Sequence, residues 1–452
     1  MKVVIIGSGK VGGSLSGNLS KEGNDVTVID RSANALNHIQ DTQDVMCIEG
    51  DGADADIQLD ANVNKAGLLI ATTPYDELNI LCCLIAKRLG VKRTVSRVRN
   101  PIYFRQMDLI KEDLGLSMVI NPELITADEI LRILMFPAAA RVEVFAKGRM
   151  ELVEYKLTEN SPLAGLSLVE LYKRNKIKFL ICAVERDSKI FIPGGDFILR
   201  SGDRVNIAAS HQNLEKFFKT LGTLKNKVKT VMIVGGGKIC HYLTKHLLSI
   251  GMRVKIIEQD MEKCKELAER FPKATIINGD GTDQELLNEE GIAEADAFVT
   301  LTGIDEENII MSMYAKNNSD AKIITKINRD SYIEMASQMG LECVISPKHL
   351  TAGSILSFVR SLDTSVANNI EALYHIVGNK AEAMEFKINS EIPGIVGIPL
   401  KSLKLKNNIL ICGILRKRDV IIPNGDDCIQ KGDSVIVISK DHRFSDIEDI
   451  LD

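Results

Sequence analysis

Long uncharged apolar segments are absent from this sequence. No stretch of about 18 residues or more lacks both charged residues and helix breakers, so we expect no segment that spans a bilayer. The amino terminus also lacks the basic region and apolar run of an exported protein, and it enters a predicted strand at Lys2 and Val3. The sequence therefore predicts a cytosolic chain whose work at a membrane is done through a partner.

Paired cysteine motifs are also absent. The nine cysteines include no Cys-x-x-Cys spacing, and several lie in apolar runs, as Cys182 and Cys412 do. We therefore expect buried, reduced thiols, and neither a zinc site nor a redox dithiol. Cys47, Cys264 and Cys428 are the three that we expect to be more exposed.

An excess of basic charge is the third absence. Residues 1–228 carry 30 basic and 28 acidic side chains, and residues 229–452 carry 26 and 33. Neither half has the cationic surplus that contact with nucleic-acid phosphates requires. A redox-sensing, DNA-binding repressor is therefore disfavoured, and we expect no nucleic-acid partner.

The sequence does contain a duplication. A glycine-rich turn at residues 7–12 returns at residues 235–240, and the acid that ends the next predicted strand, Asp30, returns as Glu258, each 228 positions later. The Gly-Asp-Gly turn that contains Asp51 returns at a similar offset. This register indicates a duplicated unit.

Each copy is predicted to contain two domains. Apolar strand runs alternate with amphipathic helical segments over residues 1–137 and again over 230–366, which is typical of a parallel, Rossmann-type sheet with crossover helices. Residues 141–222 and 370–452 change to a period of two and predict small α+β domains. The fold class is thus α/β, with two Rossmann-type domains each followed by a small α+β domain. A lysine-rich segment at 223–229 is predicted to be the linker between the copies.

The strands predicted for the first copy form a complete Rossmann-type set. They are Lys2–Ile6, Asp25–Asp30, Val45–Glu49, Gly67–Ala71, Thr94–Arg97 and Met118–Ile120 in the first domain, followed by Glu143–Ala146, Leu152–Lys156, Phe179–Glu185 and Arg204–Ala208 in the small domain.

A helix with an apolar face is predicted to leave each Rossmann unit. The first runs from Pro122, which follows the N-cap residue Asn121, to Phe136 and stops at Pro137; the second occupies residues 347–360. Such a helix is expected to pack on the next domain or on another subunit.

The first glycine-rich turn predicts a dinucleotide site. Gly7-Ser8-Gly9-Lys10-Val11-Gly12 follows a strand and opens a helix, and Asp30 lies 18 residues past its last glycine. The first glycine permits a tight turn, the second lets backbone amides approach a pyrophosphate, and the third lets helix and sheet pack closely. The helix amino terminus adds a partial positive charge.

The carboxylate of Asp30 is expected to accept hydrogen bonds from a ribose and to repel a 2′-phosphate. The sequence therefore favours NAD or an adenine nucleotide over NADP, an exclusion that the neighbouring Arg31 weakens. A solvated acid at the strand end is the alternative interpretation of Asp30.

The second copy departs from the fingerprint. In Gly235-Gly236-Gly237-Lys238-Ile239, followed by Cys240, cysteine replaces the third glycine, and the acid is Glu258. Cysteine at this position reduces close packing rather than phosphate approach, so the sequence leaves open a looser site or a lost ligand. We expect the second site to retain a ligand.

Further candidate contacts lie after the next strands. Thr73 and Pro74 follow the fourth strand, as Thr302 does in the second copy, and the threonines are expected either to contact a ribose or phosphate or to cap a helix. Arg97 and Lys326 end the fifth strands, where a cation faces the phosphates or lies at the surface.

Catalytic machinery is not evident. A dehydrogenase needs an acid or base beside the nicotinamide, whereas the small domains offer only His211 in the first and His375 and His442 in the second. We therefore expect no enzyme and no catalytic residue, with an NAD-dependent oxidoreductase as the alternative.

Taken together, these motifs resemble the TrkA family of potassium uptake proteins. The two glycine-rich units, the Gly-Asp-Gly-x-Asp turns, the loop from Thr73 to Asn79 and the small Pro-x-Gly-Asp domains resemble tandem RCK modules, each a TrkA-N and a TrkA-C domain, and the likeness covers the whole chain. The resemblance implies a cytoplasmic regulatory subunit that binds NAD(H) or ATP/ADP, forms a homotetrameric ring and gates a TrkH- or TrkG-type potassium-translocating membrane subunit.

The resemblance also implies a set of site residues. Phosphate contacts are implied at residues 7–12 and Arg97, a ribose contact at Asp30, and equivalent contacts at residues 235–239, Glu258 and Lys326. The acids of the two Gly-Asp-Gly turns, Asp51 and Asp280, complete the candidate set. No metal ligand is implied.

Overall fold

The structure is a computed structural model. It describes residues 1–452 except 137–140, 146–148, 160, 176, 188, 223–227, 363–369, 377–380, 418, 441–443 and 445. The predicted linker therefore lies outside the described residues except for Val228 and Lys229, as do Pro137 and Ala146, the predicted ends of a helix and a strand.

A six-stranded parallel sheet forms the first unit, with the strand order 3-2-1-4-5-6 of a Rossmann-type fold. Its strands are β1 (Lys2–Ile6), β2 (Asp25–Asp30), β3 (Met46–Glu49), β4 (Leu68–Ala71), β5 (Arg93–Arg97) and β6 (Met118–Ile120), and its helices are α1 (Lys10–Lys21), α2 (Ala33–Thr42), α3 (Ala55–Asp60), α4 (Asp76–Leu89) and α5 (Pro101–Ile110). Central strands such as β1 and β4 are apolar on both faces because helices cover both sides of the sheet.

The helix that leaves this unit, α6 (Pro122–Met135), packs outside it. Asn121 caps the helix by accepting a hydrogen bond from the Leu124 amide at 2.9 Å, and proline stands at the first turn. Its apolar face, which includes Ile130 and Leu134, is buried in the core of the second Rossmann unit.

The first small domain contains a five-stranded antiparallel sheet of order 10-9-11-8-7. Its elements are β7 (Arg141–Phe145), β8 (Met150–Lys156), α7 (Leu168–Arg174), β9 (Leu180–Arg186), β10 (Lys189–Phe191), β11 (Arg204–Ala209) and α8 (His211–Thr220). The α+β class predicted for this domain is confirmed.

The second Rossmann unit repeats the first. Its strands are β12 (Thr230–Val234), β13 (Arg253–Glu258), β14 (Thr275–Asn278), β15 (Ala297–Thr300), β16 (Lys322–Lys326) and β17 (Cys343–Ile345), in the order 14-13-12-15-16-17, and its helices are α9 (Lys238–Ser249), α10 (Met261–Arg270), α11 (Gln284–Glu289), α12 (Asp305–Asn318) and α13 (Asp330–Gln338). Val228, at the end of the predicted linker, is already part of its core.

The helix that leaves the second unit, α14 (Pro347–Leu362), packs in turn on the first. Ile355, Leu356 and Val359 are buried in a core with residues of α1 and of the first sheet. The two Rossmann units therefore exchange their last helices, and each is completed by the other.

The second small domain has the same sheet as the first. Its strands are β18 (Ile370–Ile376), β19 (Ala381–Lys387), β20 (Ile409–Arg416), β21 (Asp419–Ile421) and β22 (Ser434–Lys440), in the order 18-19-22-20-21. One apolar core, which contains residues such as Met150 and Cys182 from the first small domain and Cys412 from the second, lies between the two sheets.

Candidate functional site

A cavity of about 790 Å³ lies between the two Rossmann units. Its lining includes most of the residues predicted for the first dinucleotide site, and residues 237–240 together with Lys326 of the second. The carboxyl ends of parallel strands form this edge of each sheet, where nucleotides bind in Rossmann-type folds. The exchanged helices bring the two edges together, since both Pro122 and Pro347 line the cavity.

The first glycine turn has the geometry that a phosphate needs. Gly7 has a φ of +100°, and a Cβ there would lie 3.0 Å from the backbone of Thr72 and Thr73. A Cβ at Gly12 would lie 1.8 Å from the Gly7 carbonyl oxygen. Gly9, at an ordinary φ of −64°, has no atom within 4 Å of its Cβ position, so its open side leaves room for a ligand.

Helix α1 points its amino terminus at this space. Its N-cap is Gly9, which provides no side-chain cap, and its first turn contains no acid. Helix α9 begins in the same way after Gly237. Uncapped amides and the helix dipole therefore favour an anion at both turns.

Asp30 holds the glycine turn in place. Its carboxylate accepts hydrogen bonds from the Ser8 amide at 2.6 Å, the Ser8 hydroxyl at 2.7 Å and the Ser32 amide at 2.9 Å. Burial raises the pKa of Asp30, but these hydrogen bonds outweigh it, so the pKa lies below its ordinary value. The side chain is thus ionised at neutral pH, as an acceptor for ribose hydroxyls must be.

Arg31 is bound to Asp51 at the rim of the cavity. The Ala53 amide and the Arg31 guanidinium lower the pKa of Asp51. The guanidinium of Arg31, which lies beside Asp30 in sequence, is thus paired with an acid of the Gly-Asp-Gly turn.

The loop after β4 is closed by an asparagine. Asn79 accepts hydrogen bonds from the Thr73 amide at 2.7 Å and hydroxyl at 2.8 Å, and its own amide group donates to the carbonyls of Thr73 and Arg97, both at 3.0 Å. Asn308 closes the loop at Thr302 in the same way. The hydroxyls of Thr73 and Thr302 therefore form hydrogen bonds within their own loops, and their contact with a ribose or phosphate stays a prediction.

Arg97 supplies a buried cation at the floor of the crevice. One guanidinium nitrogen donates to the Thr73 carbonyl, while its Nε is buried and meets no acceptor within the described part of the chain. Burial, followed by the charge of Arg99, lowers the pKa of Arg97. An unpartnered buried N–H is costly, and an anionic oxygen bound here would satisfy it.

The charges of the two units face each other across the cavity. The pKa of Lys326 in the second unit is lowered by burial and also by the charge of Lys10 in the first. The residues that line the cavity include seven cations and three acids: Lys10, Arg31, Arg97, Arg99, Lys238, Lys326 and Lys348, with Asp30, Asp51 and Glu123. This excess of positive charge favours an anionic ligand that contacts both units.

Glu123 is an acid in this cationic setting. One of its carboxylate oxygens accepts a hydrogen bond from Arg99 Nε at 2.6 Å, and the other is buried without a partner among the described residues. The second unit has Lys348 at the equivalent position, where it pairs with Asp330 at 2.7 Å. The two halves of the cavity therefore differ in charge.

Several predicted site residues lie outside this cavity. Most belong to the second crevice, where Glu258 accepts hydrogen bonds from the amides of Gly236 at 2.7 Å and Asp260 at 2.9 Å, as Asp30 does in the first. Asp280 is exposed and accepts from the amide and hydroxyl of Thr282 in its own turn, at 2.9 and 2.8 Å. The predicted residues that do not line the cavity are Gly12, Gly235, Gly236, Glu258, Asp280 and Thr302.

Cys240 changes the packing at the second turn. Its side chain is fully buried, and its sulfur lies 3.7 Å from the Thr244 hydroxyl. Cys240 stands at the position of Gly12, where an added Cβ would lie 1.8 Å from the Gly7 carbonyl oxygen.

Other lining residues were not predicted from the sequence. Arg99 follows β5, while Glu123 and Lys348 lie in the first turns of α6 and α14. Pro122-Glu123 and Pro347-Lys348 predict where helices begin, but the sequence does not predict that they line a cavity. Cys264, which we expected to be more exposed than most cysteines, is buried, whereas Cys47 and Cys428 are half-buried.

Comparison with known proteins gives the family. The family model for the TrkA-N domain matches residues 3–122 and 231–347, and that for the TrkA-C domain matches residues 152–222 and 383–452. The chain is 33% identical to the Trk system potassium uptake protein TrkA homolog 1 of Methanosarcina mazei, with 99% of each chain covered. It is 31% identical to the Trk system potassium uptake protein TrkA of Haemophilus influenzae over 98% of this chain and 96% of that one.

A solved structure shares the fold at low sequence identity. The GsuK channel bound to NAD superimposes with a TM-score of 0.64 at 17% identity and covers 97% of this chain and 77% of its own. Within the described part of the chain, no helix is both long and apolar enough to cross a membrane.

Proposed function

This chain belongs to the TrkA family of Trk system potassium uptake proteins, and we propose that it is a nucleotide-binding regulatory subunit of a potassium uptake system and not an enzyme. The observation that carries this proposal is the cation-rich cavity onto which both glycine turns open. A ligand held there touches both Rossmann units, so its binding affects how the units sit against each other.

The proposed ligands are NAD(H) and, as alternatives, ATP or ADP. The open side of Gly9, the unpartnered Nε of Arg97 and the ionised carboxylate of Asp30 fit the phosphates and ribose of such a nucleotide. GsuK, which shares the fold, has been solved with NAD bound. The contacts proposed for the first site are Gly7, Ser8, Gly9, Lys10, Val11, Gly12, Asp30, Asp51, Thr73, Pro74 and Arg97, and those for the second are Gly235, Gly236, Gly237, Lys238, Ile239, Glu258, Asp280, Thr302 and Lys326.

The proposed regulation is a population shift between two arrangements of the Rossmann units. A nucleotide stabilises whichever arrangement brings cations of both units to its phosphates, and only this difference in affinity can shift the equilibrium. Helices α6 and α14 are the proposed flexible interfaces, because each leaves one unit and packs on the other.

We further propose that the chain assembles into a homotetrameric ring. Tyr75, Leu81 and Ile110 of the first unit are between 38% and 66% exposed, and Ile304, Ile310 and Met339 stand 229 positions later with 46–63% exposure. These side chains mark the surfaces that we propose for contacts between subunits. The ring is proposed to act at the cytoplasmic face of the membrane, on a TrkH- or TrkG-type potassium-translocating subunit.

Potassium uptake by cells tests this proposal. Cells that lack the chain are supplied with the wild-type protein, with Gly9→Asp, or with Gly194→Asp, a control glycine that also has open space around its Cβ position and lies in the first small domain. We expect uptake to depend on the chain, and its regulation to be lost with Gly9→Asp and kept with Gly194→Asp. Uptake that is indifferent to the presence of the chain would contradict the proposal.

Whether the protein changes its nucleotide chemically distinguishes the regulatory subunit from the oxidoreductase. Purified wild-type protein is incubated with NADH and with ATP, and the nucleotides are then released and identified by mass spectrometry. A regulatory site returns both unchanged. Conversion of NADH to NAD that requires the protein and an added reducible compound would support the oxidoreductase instead.

A further inference from the structure

Two cysteines meet where the two small domains pack together. Cys182 on β9 and Cys412 on β20 are 0% and 1% exposed, and both belong to the core that fills the space between the two antiparallel sheets. They stand 230 positions apart, at equivalent places in the duplicated sequence. The two copies of this domain face each other, so equivalent residues on the contact face are brought opposite one another.

A β-bulge aims each cysteine into this interface. In β9, Ile181 pairs with Ile207 while Ala183 pairs with Asn206, so Cys182 is the additional residue of a bulge. Bulges redirect a side chain relative to a regular strand. Ile181 is accordingly buried in the core of its own domain, whereas Cys182 is buried in the core between domains.

The same irregularity occurs in the second domain. Ile411 pairs with Val437 and Gly413 with Ile436, which leaves Cys412 as the additional residue. Ile411 again faces its own domain, whereas Cys412 faces the core between domains. Two matching bulges thus present two thiols to one interface.

The backbones approach closely at this point. A Cβ built on Gly413, the residue after Cys412, would lie 2.3 Å from the sulfur of Met150 in the other small domain. Cys182 and Cys412 share this core, and burial, followed by the neighbouring Cys412, raises the pKa of the Cys182 thiol well above its ordinary range. The fold thus brings together two cysteines that are far apart in the sequence and form no Cys-x-x-Cys motif.

We propose that Cys182 and Cys412 are a redox-sensitive pair, which a peroxide oxidises to a disulfide that joins the two small domains. One sulfur attacks the peroxide, takes up oxygen as a sulfenic acid and releases one molecule of water. The other thiol then attacks that sulfur, the S–S bond forms, and a second molecule of water leaves. The two thiols lose two electrons and two protons in total, and the peroxide is reduced by the same amount.

Burial determines when this reaction occurs. A thiol whose pKa is raised is almost entirely protonated and reacts slowly, so the closed interface protects the pair. The reaction therefore proceeds while the two small domains are transiently apart, and the disulfide then holds them together. The disulfide therefore forms when this interface opens under oxidising conditions, and it then keeps the two small domains in contact.

Peptide mapping of the full-length chain tests this inference. The protein is treated with hydrogen peroxide, its remaining thiols are alkylated, and it is digested without reduction for mass spectrometry. We expect the main cross-linked species to join the peptides of Cys182 and Cys412, to be two hydrogen atoms lighter than their sum, and to disappear with dithiothreitol. Cys182→Ser should remove it, whereas Cys428→Ser, at a half-buried cysteine elsewhere, should not.

The half-buried thiols show whether the oxidant has acted. If Cys47 and Cys428 become oxidised while Cys182 and Cys412 are both recovered as free thiols after unfolding, the inference is overturned. Cross-links from either cysteine to a different cysteine overturn it as well. The mapping uses the wild-type chain, so it does not depend on the folding of a variant.

Hydrogen exchange tests separately whether the disulfide keeps the two small domains in contact. In the oxidised protein, amides of β9 and β20 should exchange more slowly than in the reduced protein, and reduction should restore the faster exchange. Exchange that is the same in both forms would show that the disulfide, even if formed, does not fix the interface.

Discussion

The side-chain amide of Asn121 donates a hydrogen bond of 2.9 Å to the phenol oxygen of Tyr242, in a buried position. Asn121 follows the last strand of the first Rossmann unit and caps α6, while Tyr242 lies on α9, the helix that points at the cavity from the second unit. This bond therefore connects the exchanged helix of one unit to the phosphate-facing helix of the other.

Removing the phenol oxygen should weaken this connection. Tyr242→Phe leaves the buried Asn121 amide without its acceptor, so we expect a loss of about 1–3 kcal/mol in the local stability of α6 and α9. Hydrogen exchange of these two helices is the measurement. As a control, Asn100→Ala removes only an exposed helix cap and should affect α5 alone, by about 1 kcal/mol. Equal effects of both variants on α9 would contradict this account.

The buried charge of Lys326 should lower the free energy of unfolding of the ligand-free chain and raise its affinity for a nucleotide. Its pKa is lowered from an ordinary value of 10.5 by burial and by Lys10, so the fold holds its proton less tightly than the unfolded chain does. The stability of the ligand-free chain should therefore rise as the pH rises through the lowered pKa towards 10.5. Lys326→Met should remove this pH dependence and stabilise the ligand-free chain at neutral pH.

The same substitution should weaken nucleotide binding. Loss of a charge-assisted contact to phosphate corresponds to roughly 10- to 100-fold in affinity, measured by calorimetry. Lys255→Met is the matched control, because Lys255 also lies in the second sheet but pairs with Glu290 at 2.9 Å and does not line the cavity. Unchanged affinity in Lys326→Met would show that Lys326 does not contact the ligand.

Asp30 should contribute both to ribose binding and to the shape of the glycine turn. Hydrogen bonds that outweigh burial lower its pKa, so its stabilising effect is complete above its ordinary value of 3.8 and is lost as the pH falls through the lowered pKa. Asp30→Asn should weaken binding at the first site by roughly 10- to 100-fold. Glu258→Gln is the equivalent change in the second unit and should leave the first site intact; loss of affinity there would contradict this assignment.

Arg360 holds α14 against two other domains. It donates to Glu22 at the end of α1, at 2.5 and 3.1 Å, and lies 3.3 Å from Glu382 on β19, and the three side chains are only 13–16% exposed. Arg360→Met removes the cation from the largely buried carboxylate of Glu22, so we expect a loss of about 3 kcal/mol. Hydrogen exchange in α1 and α14 would report it. Arg329→Met breaks an exposed pair with Glu306 and should have little effect.

The sequence predicted the units of this molecule better than their arrangement. Strands such as Lys2–Ile6 matched the structure because apolar runs and the turn chemistry of Gly7 are local signals. The exchange of α6 and α14 was not predicted, because an apolar helix face shows that a partner exists without showing which one. The first glycine turn and the last residues of the second therefore line one cavity.

Side-chain roles were predictable only where neighbours in sequence decide them. The Thr73 hydroxyl donates to Asn79 within its own loop, and Asp280 accepts from Thr282 in its own turn, whereas the contacts of both residues with a ligand stay predictions. Contacts between distant segments had no sequence signal. The pairing of Asn121 with Tyr242 and the packing of Cys182 with Cys412 both depend on how the two copies come together.

Calorimetric titration of four chains with NADH, NAD, ATP and ADP tests the central claim most directly. The chains are the wild type, Gly9→Asp, Gly237→Asp and the control Gly194→Asp; each glycine has open space around its Cβ position and an ordinary φ. Either aspartate at a glycine turn places a negative charge in the shared cavity. We predict that the wild type and the control bind nucleotide alike, that Gly9→Asp abolishes binding at the first site, and that Gly237→Asp weakens it. The account would be contradicted if the wild-type protein bound no nucleotide, or if Gly237→Asp left the nucleotide affinity of the first site unchanged.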